Sequence, residues 1–420
     1  MEKVIRRMVR LISLTAIGIT VASTSLSAWS QQSGIAFPAS RWVATWSAAP
    51  MAPGSALEAP QTFENQTVRH VVHISVGGQR IRVRLSNAYG AAPLLIGAAH
   101  VALHADGASI VAGSDRTLTF SGQTSISIPS GALALSDPVV LNVPSLADLA
   151  VSIYVPNNTG PATYHESSDQ TSFISGPGDF TSTVVFPTAS TSLDRFWLAG
   201  VEAEPLFKVG AVVAIGDSIT TSFRSTVDAN RRWTDDLAAR LDPPGELPRL
   251  AVLNEGIGCS RLLWDFCGPN GSSRFDRDVL AQTGVTHVIL DLGLVDIVWP
   301  TVVGVPSQAV TPDQIITGLR QLIERAHARG LKIIGATITP NEGSTFPGFF
   351  TPANEVERQA VNQWIRTSGA YDGVIDFDRV VRDPSDPARL LPAYASDDNT
   401  HLSDAGYQAM AYAIDLSLFR

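Results

Sequence analysis

The sequence predicts an α/β domain built on a three-layer parallel sheet, preceded by an all-β domain of jelly-roll type. Two observations carry this expectation. From about residue 208 onward, short runs of β-branched and small apolar residues alternate with amphipathic segments, the rhythm of a parallel sheet with helices on both faces. Before that point, residues 36–203 break into many short runs separated by turn-formers, with no convincing helix, as in a two-sheet sandwich. At 420 residues the chain also exceeds what one core usually serves, so two domains are expected.

In the β-rich half, Val68-Arg69-His70-Val71-Val72-His73-Ile74-Ser75 leads through Gly77-Gly78 into the strictly alternating Gln79-Arg80-Ile81-Arg82-Val83-Arg84-Leu85-Ser86. Two such runs about a Gly-Gly turn read as a hairpin. Further strands are expected at 94–103, 110–112, 117–120, 125–128, 139–143, 149–155 and 183–186, with 195–204 leading out of the domain. In the second half, helices are expected at 231–241, 274–282, 312–329, 354–367 and 404–418. They alternate with strands at 250–254, 285–292, 331–337 and 374–377. The helix from Pro312 carries one apolar stripe: Ile315, Ile316, Leu319, Leu322, Ile323 and Ala326.

Composition bounds the function. Hydrophobic residues make up 45% and charged residues 16%, the profile of an ordinary globular protein. A net charge of −9 with no basic cluster beyond the first ten residues argues against a nucleic-acid partner. That early cluster, Lys3, Arg6, Arg7 and Arg10, precedes an apolar stretch at 11–22 and small residues at 23–28, the order of a secretory signal peptide over residues 1–28. The apolar stretch is too short to span a bilayer. The expectation is a secreted or periplasmic protein with no membrane attachment after signal removal. Cys259 and Cys267 are the only cysteines. In an oxidising compartment so close a pair is a candidate disulfide, and two free thiols is the alternative.

The chemistry gathers at Val209-Gly210-Ala211-Val212-Val213-Ala214-Ile215-Gly216-Asp217-Ser218. The apolar run reads as a strand buried on both faces, and Gly-Asp-Ser breaks it at the carboxyl edge, where open α/β sheets place their sites. Taken alone, Gly-Asp-Ser-Ile reads more readily as an ordinary turn or helix cap. Asp398-Asn399-Thr400-His401, ahead of the terminal helix, supplies what a serine nucleophile needs. His401 can be the base and Asp398 can orient its ring. The other histidines compete poorly: His70 and His73 would face opposite sides of a strand, and His100 and His104 share helix spacing in a strand-like segment. There is no HExxH, no Gly-x-Ser-x-Gly elbow and no phosphate loop, so neither a metal nor a cofactor is expected.

Four blocks in order make residues 208–420 resemble the GDSL/SGNH hydrolases, which implies a flavodoxin-like α/β fold. These are Gly216-Asp217-Ser218-Ile219, Asn254-Glu255-Gly256-Ile257-Gly258-Cys259-Ser260-Arg261-Leu262-Leu263, Gly293-Leu294-Val295-Asp296 and Asp398-x-x-His401. The β-rich half more loosely resembles the accessory domain of many secreted bacterial members. The resemblance implies Ser218 as nucleophile, His401 as base and Asp398 as its partner. It also exposes a departure. The family's second-block glycine falls on Cys259, and its third-block asparagine falls on Val295, which has no donor. The N–H groups of Ser218 and Cys259, with Gly258 as a substitute, are then the candidate oxyanion donors. Val295 is expected at the end of strand 285–292, its side chain toward Ser218. The reading is a secreted serine esterase for short-chain or carbohydrate acyl esters with an atypical oxyanion hole. The alternative is a degenerate hydrolase that binds glycans or other ligands without turnover.

Overall fold

The computed structural model describes residues 41–55, 59–167, 169–243, 245 and 250–420. The expected signal peptide lies outside the described residues.

Five parallel strands form the sheet of the second half, in the spatial order Leu250–Gly256, Gly210–Gly216, Val285–Asp291, Lys332–Ala336 and Gly373–Ile375. Alternation along the strands feeds two separate cores. Ala211, Val213 and Ile215 pack with Leu319, Leu322, Ile323 and Val361 on one face. Val212 and Ala214 pack with Trp233, Leu237, Tyr407 and Met410 on the other. This double burial is why the strands read as continuous apolar runs. The register brings Gly216 opposite both Gly256 and Asp291, so three strands end together at one edge.

The first half contains a five-stranded and a six-stranded antiparallel sheet. They share one apolar core that includes Val72, Ile81, Val83, Val101, Val151 and Val201. The hairpin expected at Gly77-Gly78 is not made: Gln66–His73 and Gly78–Ser86 belong to different sheets, so this turn crosses between layers. The expected strand at 183–186 is not formed. The edge strand is Thr188–Ser192, whose Thr-Ala-Ser-Thr-Ser is largely exposed and so carries no apolar alternation.

Residues 41–420 pack as one unit. The β-rich half is tied to the α/β half by polar contacts: Arg84 donates to Gln282, Ser75 Oγ accepts the Val252 N–H, and the Arg277 guanidinium reaches Tyr89 and the Pro50 carbonyl.

Most helices fall near their expected positions, but the unexpected short helix Phe377–Val381 follows a strand that ends at Ile375, and three larger departures stand beside it. The segment expected as helix 274–282 is a short helix, Gly271–Phe275, continued by a wider π turn over Asp276–Leu280. The terminal helix stops at Ala413, and Asp415 caps a separate 3-10 turn at Leu416–Phe419. The helix Leu294–Val302 was not expected; its sequence is apolar nearly all round and contains Pro300, so it shows no amphipathic period. No described helix is long and apolar enough to cross a membrane.

Candidate active site

The strand Gly210–Gly216 ends at Asp217, which caps the four-residue helix Ser218–Thr221 by accepting the Ile219 N–H at 2.9 Å. Glycine is required at 216: a Cβ there would lie 1.9 Å from the Thr220 hydroxyl and 2.7 Å from the Asp291 carbonyl. The turn therefore folds tightly over the edge of the neighbouring strand and presents Ser218 beyond it.

His401 arrives on the loop ahead of the terminal helix. Its Nε2 is 2.8 Å from Ser218 Oγ, and its Nδ1 is 2.7 Å from Asp398 Oδ2. The other oxygen of Asp398 accepts the N–H groups of Thr400 and His401 at 2.9 and 2.8 Å and the Ser396 hydroxyl at 2.9 Å. Burial alone would raise this carboxyl. The His401 ring and the two backbone donors outweigh it and hold Asp398 well below the ordinary carboxylate range. The rings of Phe223 and Phe346 meet the imidazole edge-on, with centroids 4.9 and 6.2 Å away. Such a hydroxyl–imidazole–carboxylate chain can pass the serine proton to the imidazole while the carboxylate fixes the ring.

The second block leaves the sheet after Gly256 and crosses beside Ser218, the Ile257 N–H donating to the Gly216 carbonyl at 3.1 Å. Gly258 lies against the β-rich half, where an added Cβ would come within 2.4 Å of Glu166 Oε1. Cys259 adopts φ +55°, the left-handed conformation natural to the family's glycine. The disulfide expected between Cys259 and Cys267 is not formed. Both are free. The hydrogen bond with Cys259, and then burial, push the Cys267 thiol upward.

Val295 is not at the end of a strand. It lies in the first turn of the helix Leu294–Val302, 4% exposed, after Gly293 at φ +129°. Its neighbour Asp296 has a role the sequence did not disclose. Its carboxylate accepts the N–H groups of Leu262 and Leu263 at 2.5 and 3.1 Å, fastening the second block to the third.

Two further groups surround the serine turn. Arg224, at φ +77°, directs Nε to Asp398 Oδ2 at 3.4 Å. Asp228 accepts the Thr171 N–H and hydroxyl, each at 2.6 Å, so the β-rich half grips the segment that follows the serine helix. Three of the remaining histidines are engaged elsewhere. His70 sits between Ser172 and the Phe196 carbonyl, His73 pairs with Asp148 and His100 with Asp115.

The family model of the GDSL-like lipases and acylhydrolases matches residues 214–409, from the first strand through the closing helix. This stretch is a GDSL-like lipase/acylhydrolase domain. Solved structures similar to this chain include three hydrolases. An acetyl xylan esterase from Geobacillus stearothermophilus is 21% identical, with a TM-score of 0.37 over 49% of this chain and 94% of its own. A GDSL-like lipase from Bacteroides thetaiotaomicron is 18% identical, with a TM-score of 0.38 over 50% and 87%. A carbohydrate acetylesterase from Sinorhizobium meliloti is 18% identical, with a TM-score of 0.37 over 49% and 95%. No curated protein matches the chain at the significance required.

Proposed function

We propose that the protein is a serine esterase that hydrolyses carboxylic esters through an acyl-enzyme on Ser218. The continuous chain from Ser218 Oγ through His401 to Asp398, at 2.8 and 2.7 Å, carries this reading. In the first half-reaction His401 Nε2 removes the hydroxyl proton as Oγ attacks the ester carbonyl, then returns that proton to the departing alcohol. In the second, His401 activates water against the acyl-Ser218 ester. Asp398 remains ionised throughout and stabilises the imidazolium. In this reading the N–H groups of Ser218 and Cys259 donate to the developing oxyanion, and with Val295 in the family's asparagine position the hole is one donor short. Loss of such a donor typically costs about 2.7–4 kcal/mol of transition-state stabilisation. The substrates are small-molecule or carbohydrate acyl esters, and the basic-then-apolar start of the chain supports their encounter outside the cytoplasm.

The second reading, a degenerate hydrolase that binds glycans or other ligands without turnover, is favoured by Val295, which offers no donor, and by Cys259 in the place of the family's glycine. Hydrolysis of p-nitrophenyl acetate separates the two. Turnover that Ser218→Ala abolishes supports the esterase; equal release by both proteins rejects it.

A further inference from the structure

Two carboxyl groups with no part in the proposed acyl transfer lie under Ser218. Asp217 is 2% exposed and Asp291 6%. Both fasten the helix Ser218–Thr221: Asp217 accepts the Ile219 N–H at 2.9 Å, and Asp291 Oδ2 accepts the Thr220 hydroxyl at 3.1 Å. Strand register sets the two acids close together, because Asp291 pairs with Gly216, the residue before Asp217.

The charged groups around them do not compensate the pair. Asp296, on the helix Leu294–Val302, adds to the negative field at Asp217, and Arg261 turns toward Asp296 at 3.8 Å. Arg274 gives its donors to the Gly216 and Glu255 carbonyls and pairs with Asp278 at 3.3 Å. Tyr407, on the terminal helix, contributes a buried phenol, and Asp398 and His401 are engaged with each other. Burial pushes Asp291 up to about 7, opposed by the Thr220 hydroxyl. Burial and the Asp291 charge push Asp217 well above the ordinary range. Adjacent buried carboxyls of this kind do not both ionise at neutral pH, and they titrate as a pair.

We propose that Asp291 is a positioning residue for Ser218: through Thr220 it holds the serine turn, and it does so only while the Asp217–Asp291 pair carries a proton. The inference rests on Ser218 being the nucleophile. Removal of that proton places a second negative charge beside the carboxyl that caps the same helix. The two anchors then repel, and Ser218 Oγ leaves its position at His401. Small misplacements of reacting groups are costly in rate.

The test is the pH dependence of p-nitrophenyl acetate hydrolysis by wild type, Asp291→Asn and Thr220→Val, with thermal melts over the same pH range. Wild-type kcat falls on the alkaline side, roughly tenfold per pH unit beyond the pair's apparent value. Asp291→Asn, which mimics the neutral acid, keeps plateau kcat within about threefold and loses the alkaline fall. Thr220→Val breaks the link between Asp291 and the serine turn, so kcat drops below wild type on the plateau and the alkaline fall flattens, with KM unchanged. A merely structural role would lower kcat equally at every pH. Melts read the same proton without substrate. Both folded values lie above the unfolded ones, so stability is lost as pH rises from about 4 through about 7 and beyond, and Asp291→Asn reduces that slope. Where Asp291→Asn does not fold, Thr220→Val decides. A wild type active but without an alkaline fall, a fall unchanged in the variants, or melts of unchanged slope in Asp291→Asn overturns the proposal. A wild type inactive at every pH instead rejects the esterase reading on which it rests.

Discussion

His401 Nε2 stands 2.8 Å from Ser218 Oγ, although 183 residues separate them in the chain. The sheet edge supplies one partner and the loop before the terminal helix the other. Tyr407, on that helix, ties the two by donating its hydroxyl to the Phe223 carbonyl at 2.8 Å. This arrangement leads to expectations about the triad, the oxyanion hole and the thiols.

Ser218→Ala and His401→Ala each abolish ester hydrolysis, and the double variant is no worse than either, because nucleophile and base act as a unit. Asp398→Asn retains more activity, by about one to two orders of magnitude, since Asp398 orients the base without taking part in bond making. Steady-state kinetics of the three single variants and the double variant check this.

Asp398 also links stability to pH. Its folded value lies below the unfolded one, so its contribution is present above pH about 4 and lost as pH falls through the lower folded value. Asp398→Asn is therefore less stable than wild type at pH 7, and the difference shrinks in acid. Denaturant melts at pH 7 and pH 3 measure it.

Val295→Asn raises kcat on small activated esters with little change in KM if the hole lacks only the missing amide. Replacement of Val295 by a polar side chain in its buried position otherwise costs about 1–3 kcal/mol as an unsatisfied group. A lower or unchanged kcat rejects the missing-donor account.

Titration of the unfolded, unreduced protein finds two thiols per chain, matching the free pair Cys259 and Cys267. Cys259→Gly keeps turnover within a few-fold, because the proposed donor is its main-chain N–H and glycine adopts φ +55° without strain. One kinetic comparison with wild type decides whether the side chain matters.

The sequence made the triad legible because its chemistry is local: a serine where an apolar strand ends, and a histidine three residues from an aspartate. The parallel sheet was legible for a similar reason, since burial on both faces leaves continuous apolar runs such as residues 211–215. What remained hidden depends on tertiary approach. Asp296 reads as one more acid until the Leu262 and Leu263 N–H groups close on it. Asp291 reads as the polar end of a strand until Thr220 reaches it from the adjacent turn. The helix Leu294–Val302 was invisible because a buried helix has no polar face to set its period. The Gly77-Gly78 turn has hairpin chemistry, yet packing sends its two strands into different sheets.

The central claim is a covalent acyl group on Ser218. Rapid acid quenching during turnover of p-nitrophenyl acetate, followed by peptide mass analysis, tests it most directly. The account predicts an acetyl adduct on the peptide containing Ser218 and none in Ser218→Ala. Turnover by wild type with the adduct on another residue would contradict it.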